Sequence, residues 1–193
     1  MSENIWAGYY ERTKDRPPRP LLIEATALVK DKNEALDLGP GALTDVKYLL
    51  SVGFNHVTAI DRNPVSKKDI SDFPEEKVSY VTSSFEDFEF PKNKYDLINA
   101  QYSLPFSSPE TFNKLIEDII FSLKENGVFT GQFFGKNDEW TANEKSMTFH
   151  TRAEAEKLLS GLKIVSFEEV ETDKKTAAGK MKHWHVFHFI AVK

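Results

Sequence analysis

The chain has 193 residues, a formal net charge of −5 and no cysteine; 40% of its residues are hydrophobic and 28% are charged. This length fits one domain spanning 1–193, which would bury roughly 70% of the surface of the unfolded chain. The negative charge argues against nonspecific binding to nucleic acid or to an anionic membrane. The lack of cysteine excludes disulfides, thiolate zinc sites and a cysteine nucleophile.

No stretch approaches the 18 or so apolar residues that a membrane span requires. The N-terminus also lacks a basic start followed by an apolar run, which a secretion signal would show. Together with the absence of cysteine, these patterns indicate a cytoplasmic protein.

Residues 1–20 are polar and aromatic and end in RPPRP, where the prolines favour an extended backbone. We interpret this segment as an arm. Its rings, Trp6, Tyr9 and Tyr10, would form either a packing patch or a lid that closes over a ligand and excludes water. Arg16 and Arg19 fit solvated turn positions, although either could bind a carboxylate, and Arg19 is the better candidate.

Strands and helices alternate after the arm. The sequence predicts a helix over RPLLIEATALVK, a buried strand over EALDLG, a helix over TDVKYLLSVGF and a strand over HVTAID. A polar helical patch through KKDISDF and two strands, VSYVTSS and YDLINA, follow. The segment PETFNKLIEDIIFSLKENG predicts a long helix, with Pro109 near its start and Gly127 at its end. A fifth strand, GVFTGQFFG, and a helix over RAEAEKLLSGL come next.

Two β-rich runs complete the chain, LKIVSFEEVE and KHWHVFHFIAVK. No helix-length pattern separates them, so they are expected to pair antiparallel. The last run is apolar on both faces, which favours a buried position between the fifth and sixth strands. The sequence therefore predicts a doubly wound, seven-stranded Rossmann-like α/β sheet, mostly parallel with an antiparallel last strand and with helices on both faces.

Two glycines and two acids lie at the ends of the first two predicted strands. Gly39 and Gly41 would let a ligand approach the backbone at the start of the next helix. Asp61, at the end of the second strand, is placed to accept hydrogen bonds from both hydroxyls of a ribose. Asp37 beside the glycines would repel a phosphate but suits an ammonium group, which favours S-adenosylmethionine over a dinucleotide.

These residues resemble a known family. ALDLGPGA is similar to the first motif of class I S-adenosylmethionine-dependent methyltransferases, Asp/Glu-x-Gly-x-Gly-x-Gly, and VTAIDRNP resembles their second. VTSSFEDFEF looks like the adenine-contacting loop and YDLINAQYSLPF like the fourth-strand motif. The segments IWAGYY, RPP and KHWHVFHFIAVK look most like small bacterial tellurite-resistance-type and thiopurine-type enzymes.

The resemblance implies cofactor contacts residue by residue. Gly39 and Gly41 would face the methionine part, Asp37 its ammonium, and Asp61 the ribose. The remaining implied cofactor contacts are Arg62, Asn63, Ser84, Phe85 and Glu86 around the adenine, and Asn99, Ala100 and Gln101 near the methyl group. The family's third glycine is replaced by Leu43, which we expect to narrow the space beside the cofactor.

Methyl transfer from a sulfonium releases a neutral leaving group, so positioning supplies most of the catalysis. We therefore predict no dedicated catalytic residue and name Tyr10, Gln101 and His185 as possible contacts of a small-molecule substrate. His183, His185 and His188 fit an aromatic packing strand better than a metal site. Two alternatives remain open at this stage, namely a non-catalytic S-adenosylmethionine-binding sensor or subunit and a nicotinamide-dependent oxidoreductase.

Overall fold

Helices and strands alternate along the computed structural model, which describes residues 3–64 and 70–193. The helices are α1 (Glu3–Thr13), α2 (Pro20–Leu28), α3 (Thr44–Ser51), α4 (Phe112–Ser122) and α5 (Arg152–Leu158). The strands are β1 (Glu34–Leu38), β2 (His56–Asp61), β3 (Val78–Thr82), β4 (Tyr95–Ala100), β5 (Leu123–Gly135), β6 (Phe149–His150), β7 (Lys163–Lys175) and β8 (Met181–Val192).

The strands form one sheet in the order β3-β2-β1-β4-β5-β8-β7. The first five strands are parallel, whereas β8 runs antiparallel to both β5 and β7. The prediction that the last strand inserts between its two neighbours is thus confirmed. The sheet has one strand more than predicted, because the two-residue β6 pairs with the end of β5 and is too short to leave a pattern.

Helices cover both faces of the sheet, as the alternation predicts. On one face α2 and α3 contribute Leu22 and Leu49 to a buried cluster with Leu97 of β4. On the other face α4 and α5 contribute Ile116 and Ala155 to a second cluster. Because successive strand residues point to opposite faces, each central strand supplies side chains to both clusters.

The N-terminal arm contains helix α1, which the sequence interpretation did not include. Its prolines lie after α1, so they shape only the connection to α2, where Pro20 occupies the first helical position. The predicted long helix also ends five residues early, at Ser122. Leu123 is fully buried and pairs with Tyr95, which begins the strand before Gly127 is reached. Much of the predicted helical patch over 67–73 lies outside the described residues.

Candidate cofactor and acceptor site

The glycine loop between β1 and α3 has a left-handed backbone. Gly39 and Gly41 have φ of 74° and 55°, values that glycine adopts without steric cost. A Cβ on Gly39 would lie 2.6 Å from Cβ of Ser103, so no other residue fits there. The loop is tied to β2 by a 2.8 Å hydrogen bond from the Gly39 amide to the Ile60 carbonyl.

Leu43 continues this left-handed backbone, with φ of 60° directly before α3. For a residue with a side chain, this conformation costs roughly 1–2 kcal/mol. The side chain is 4% exposed and packs in the cluster between α2, α3 and the sheet. The structure therefore does not show the expected narrowing of the cofactor space, because the side chain of Leu43 packs in the core.

Asp37 places a buried carboxylate beside the glycine loop. The residue is 1% exposed, and its Oδ1 accepts a 2.8 Å hydrogen bond from Nδ2 of Asn99. Burial, reinforced by the charge of Asp45, raises the pKa of Asp37, against the effects of Asn99 and Arg16. Its Oδ2 is buried and has no hydrogen-bond partner among the described residues. A buried carboxylate oxygen without a partner is costly unless a ligand supplies a donor or a positive charge.

Asp61 ends β2 at the same rim. Its Oδ1 accepts from the backbone amide of Asn63 at 2.9 Å, and its Oδ2 accepts from the hydroxyl of Tyr10 at 3.1 Å. Burial raises the pKa of Asp61, although these hydrogen bonds oppose the increase. The carboxylate thus lies where the sequence expects it, and one of its oxygens binds a side chain from α1.

Helix α1 lies over the glycine loop. A Cβ on Gly41 would be 3.6 Å from Cε1 of Tyr10, which is itself only 7% exposed. The segment after α1 is held down by a bidentate ion pair from Arg16 to Asp45 in the first turn of α3, with contacts of 2.7 and 3.0 Å. The aromatic arm is therefore packed on the candidate cofactor site.

Arg19 stands at the same site. Its Nη2 donates to the hydroxyl of Tyr9 at 3.3 Å, and its guanidinium lies 4.8 Å from the ring centre of Tyr102. Its Nε is buried without a hydrogen-bond partner among the described residues. An unpaired buried donor on a cation fits the carboxylate that the sequence interpretation assigned to it.

The loops after β2 and β3 hold the residues implied to surround the adenine. Arg62 and Glu86 approach each other to 4.0 Å across these loops. Cζ of Phe85 would lie 3.6 Å from a Cβ on Gly39, so this ring borders the glycine loop. The hydroxyl of Ser84 donates within its own loop, to a carboxylate 2.7 Å away.

The residues at the end of β4 divide between the two faces of the sheet. Asn99 and Gln101 are buried side by side and joined by a 2.9 Å hydrogen bond, on the face that carries α2 and α3. The side chain of Ala100 points the other way, into the cluster with α4. Only the backbone of Ala100 is therefore available at this rim.

The structure does not bring His185 to the rim. Its Nε2 contacts Glu169 at 2.9 Å and its Nδ1 accepts from the amide of Asn137. The ring also touches Phe187, which packs in the cluster with α4, so it occupies the opposite face. Strand alternation instead places His188 on the face of Asn99.

Sequence reasoning gave no role to Gln132 and did not include His188 among the substrate contacts. Both lie directly opposite each other on β5 and β8. A polar glutamine inside the apolar run GVFTGQFFG was a usable signal, because such a residue is fully buried only when it is hydrogen-bonded.

Aromatic rings continue from α1 towards β8. Trp6 contacts Phe106 with ring centres 5.1 Å apart, Phe106 lies 6.2 Å from Trp140, and Trp140 lies 5.6 Å from Trp184. The ammonium of Lys182 is packed 3.6 Å from the ring centre of Trp184. We call these four rings the aromatic band.

Asp138 supports one end of the aromatic band. This fully buried carboxylate pairs with Lys182 at 2.5 Å and accepts from the amides of Trp140 and His185.

Within the described parts of the chain, no group of three or more potential metal ligands is placed to bind an ion. None of the helices described there has the length and apolar composition to cross a bilayer.

Comparison with known proteins identifies the domain. A family described as "Methyltransferase domain" matches residues 36–130, which run from β1 into β5 and include the glycine loop, Asp61 and Asn99. A search of curated proteins gave no match.

Solved structures share the fold. The 1,6-didemethyltoxoflavin-N1-methyltransferase of Burkholderia thailandensis, with bound 1,6-didemethyltoxoflavin and S-adenosylhomocysteine, is 21% identical with a TM-score of 0.68; the alignment covers 91% of this chain and 77% of that one. TehB of Haemophilus influenzae is 15% identical with a TM-score of 0.74, covering 89% and 61%.

A third similar structure is the complex between the Trm112 methyltransferase activator of Haloferax volcanii and a methyltransferase, at 17% identity and a TM-score of 0.74, covering 98% and 94%. The matched domain contains the glycine loop and both acids, and the sheet order agrees with the fold of these enzymes. Residues 36–130 match a methyltransferase domain, and the chain has the Rossmann-like fold of S-adenosylmethionine-dependent methyltransferases.

Proposed function

We propose that the protein transfers a methyl group from S-adenosylmethionine to a small-molecule acceptor. The observation that carries this proposal is the buried, half-paired carboxylate of Asp37 beside a left-handed glycine loop, with Asp61 at the end of the next strand. The carboxylate suits an ammonium group, and the loop lets a ligand lie against backbone atoms.

The residues at this rim fit the cofactor. Asp37 would bind its ammonium and Asp61 its ribose hydroxyls, while the unpaired Nε of Arg19 would bind its carboxylate. Gly39, Gly41, Arg62, Asn63, Ser84, Phe85, Glu86, Asn99 and the backbone of Ala100 complete the proposed cofactor contacts. When bound, S-adenosylmethionine supplies an electrophilic methyl group whose transfer needs no acid.

The chain's own contribution would be to orient the reactants and to exclude water. Helix α1 covers the glycine loop and brings Tyr10 onto Asp61, which supports a lid. The aromatic band begins on α1 with Trp6, and a wall of rings suits a flat, apolar acceptor. The Burkholderia neighbour, which holds 1,6-didemethyltoxoflavin, supports a small-molecule acceptor.

We further propose a cytoplasmic location and no nucleic-acid partner. The cysteine-free sequence fits a reducing compartment, and the net charge of −5 disfavours a polyanion.

Calorimetry on the purified chain tests the cofactor. S-adenosylmethionine and S-adenosylhomocysteine should bind, NAD should not, and Asp37→Asn should weaken both adenosyl ligands at least tenfold. Asp118→Asn on α4 is the control, because it removes the same charge from the opposite face of the sheet. Tight NAD binding with no adenosyl ligand bound would overturn the proposal.

Turnover separates an enzyme from a sensor. The chain is incubated with S-adenosylmethionine and a panel of small aromatic thiols, amines and phenols, and formation of S-adenosylhomocysteine is measured. Acceptor-dependent product is expected. Binding without product from any acceptor would favour a non-catalytic S-adenosylmethionine-binding module.

A further inference from the structure

A series of hydrogen-bonded polar side chains starts at the Asp37 carboxylate and runs from strand to strand along one face of the sheet. Asn99 donates to Asp37 at 2.8 Å, Gln101 donates to Asn99 at 2.9 Å, and Gln132 donates to Gln101 at 2.8 Å. Nε2 of Gln132 also lies 3.4 Å from Nδ1 of His188. We call these five residues the polar chain; it links β1, β4, β5 and β8 on the face that carries α2 and α3.

The direction of the polar chain is fixed at Gln132 by a backbone amide. The backbone amide of Tyr102, which can only donate, contacts Oε1 of Gln132 at 2.7 Å. The amide nitrogen of Gln132 must therefore face Gln101 and His188. Oε1 of Gln101 accepts from Gln132, so the amide nitrogen of Gln101 donates to Asn99, and Asn99 in turn donates to Asp37. The contact from the Tyr102 amide therefore sets the orientation of every side-chain amide in the polar chain.

This orientation determines the protonation of His188. Because Gln132 presents a donor, Nδ1 of His188 must hold a lone pair, and a neutral ring then carries its proton on Nε2. Burial lowers the pKa of His188 below its usual value; Lys174 and Arg19 act in the same direction, and Glu168 opposes them. Within 3–64 and 70–193, no protein group accepts a hydrogen bond from this Nε2.

His188 lies next to the proposed acceptor site. Its ring stands edge-on to Tyr102 with centres 6.1 Å apart, and Tyr102 also contacts Trp184 of the aromatic band at 6.3 Å. The guanidinium of Arg19 is stacked on the same Tyr102. The ring of His188 therefore lies next to Tyr102, which contacts both a proposed cofactor residue, Arg19, and a ring of the aromatic band.

We propose that His188 is an acceptor-binding residue that donates its Nε2–H to an in-plane lone pair of a flat heteroaromatic acceptor, with the tautomer held by the polar chain. This inference rests on the proposed function. It narrows the acceptor to a ring that carries a hydrogen-bond acceptor, and it assigns the amides of Gln101 and Gln132 the task of orienting the imidazole.

Two fragments of similar shape test the acceptor class. Quinoline offers an in-plane lone pair and no donor, whereas indole offers an N–H and no in-plane lone pair. With S-adenosylhomocysteine present, quinoline should bind three- to tenfold more tightly than indole, which is the effect of about one hydrogen bond. His188→Phe should abolish this preference, and His188→Gln, which keeps a donor near the position of Nε2, should restore it.

Nuclear magnetic resonance on the ligand-free chain tests the tautomer independently of any cofactor. Long-range proton–nitrogen spectra at pH 7 should show His188 neutral and protonated on Nε2. Gln132→Met should permit protonation of Nδ1, whereas Thr130→Val, a buried near-isosteric change on the same strand and face, should not. A proton on Nδ1 in the wild type, preference for indole, or quinoline preference that survives in His188→Phe would each overturn the inference. Calorimetry with S-adenosylmethionine would still decide the proposed function separately.

Discussion

At the scale of single residues, Asp61 gives the most direct test of the cofactor site. Each hydrogen bond to a charged group is worth about 1.5–3 kcal/mol, so Asp61→Ala should weaken S-adenosylmethionine about ten- to hundredfold or more, while the fold survives. Calorimetry measures the affinity and circular dichroism the fold. Asp118→Ala on the opposite face should bind normally. Unchanged affinity in Asp61→Ala would remove Asp61 from the ribose site.

Leu43 combines an unfavourable backbone with a well-packed side chain. Truncating a buried leucine costs about 2–5 kcal/mol, whereas a glycine recovers roughly 1–2 kcal/mol of the left-handed strain. The free energy of unfolding should therefore decrease from wild type to Leu43→Gly and again to Leu43→Ala, which loses the packing but keeps the strain. Urea denaturation measures this order.

The same two variants test where the Leu43 side chain points. Because it packs in the core, cofactor affinity should be unchanged in any variant that remains folded. Tighter binding by Leu43→Gly would instead support the crowding expected from the sequence. An alanine variant more stable than the glycine variant would contradict the backbone strain.

Sequence could predict residue identity at this site better than side-chain direction. The spacing of Asp37, Gly39, Gly41 and Asp61 was sufficient to suggest an adenosyl ligand, since each type has its own chemistry. It could not show that Leu43 turns into the core, because a left-handed φ at a leucine has no sequence pattern of its own. In the same way, the sequence named His185 as a substrate contact but could not show that its side chain lies on the face opposite to His188.

At the scale of elements, α1 occupies the site through Tyr10. The hydroxyl of Tyr10 donates a hydrogen bond to an oxygen of Asp61 to which a ribose hydroxyl would also donate. Tyr10→Phe removes this competitor and should tighten S-adenosylmethionine about two- to tenfold, for a hydrogen bond worth about 0.5–1.5 kcal/mol net. Calorimetry on both proteins measures the change.

Tyr48→Phe is the matched control for Tyr10→Phe, because it removes a hydroxyl that bonds to Thr26 away from the glycine loop. It should leave the affinity unchanged. If Tyr10→Phe binds the cofactor less tightly than the wild type, the hydroxyl is part of the bound site and does not compete for it.

Elements with strong periodicity were predictable, and those set by tertiary contacts were not. The apolar run of β8 indicated its buried position between β5 and β7. The end of α4 was misplaced because Leu123 and the residues after it suit a helix locally, yet pairing with Tyr95 draws Leu123 into the sheet. Helix α1 was missed since its rings and polar residues fit an arm equally well.

At the scale of the whole molecule, the two faces of the sheet have different charge chemistry. The α2 and α3 face holds the buried carboxylate of Asp37 and the half-buried carboxylate of Asp61, and removal from water raises the pKa of both. Such groups contribute stability at low pH that is lost as the pH rises through their folded pKa. The face that carries α4 and α5 holds a buried histidine with the opposite behaviour.

His150 is that histidine, and it should control the acid side of stability. It is 9% exposed, packs against Phe112 and Phe133, and has a buried Nε2 without a hydrogen-bond partner among the described residues. Burial lowers its pKa to about 4 from 6.5, although Glu154 opposes this. The unfolded chain therefore binds a proton that the folded chain rejects, and stability falls as the pH decreases from 6.5 to 4.

The size of this effect is about 3 kcal/mol, taking 1.36 kcal/mol for each pKa unit. His150→Phe cannot titrate, so between pH 6.5 and 4 it should lose that much less free energy of unfolding than the wild type. Urea denaturation at half-unit intervals measures the difference, in which the opposite contributions of the two carboxylates cancel. His183→Phe should not change the slope in this window, because carboxylate neighbours raise the pKa of His183 and move its titration above 6.5. Equal slopes in wild type and His150→Phe would show that His150 is protonated within the fold, and acid unfolding would then have to originate elsewhere in the chain.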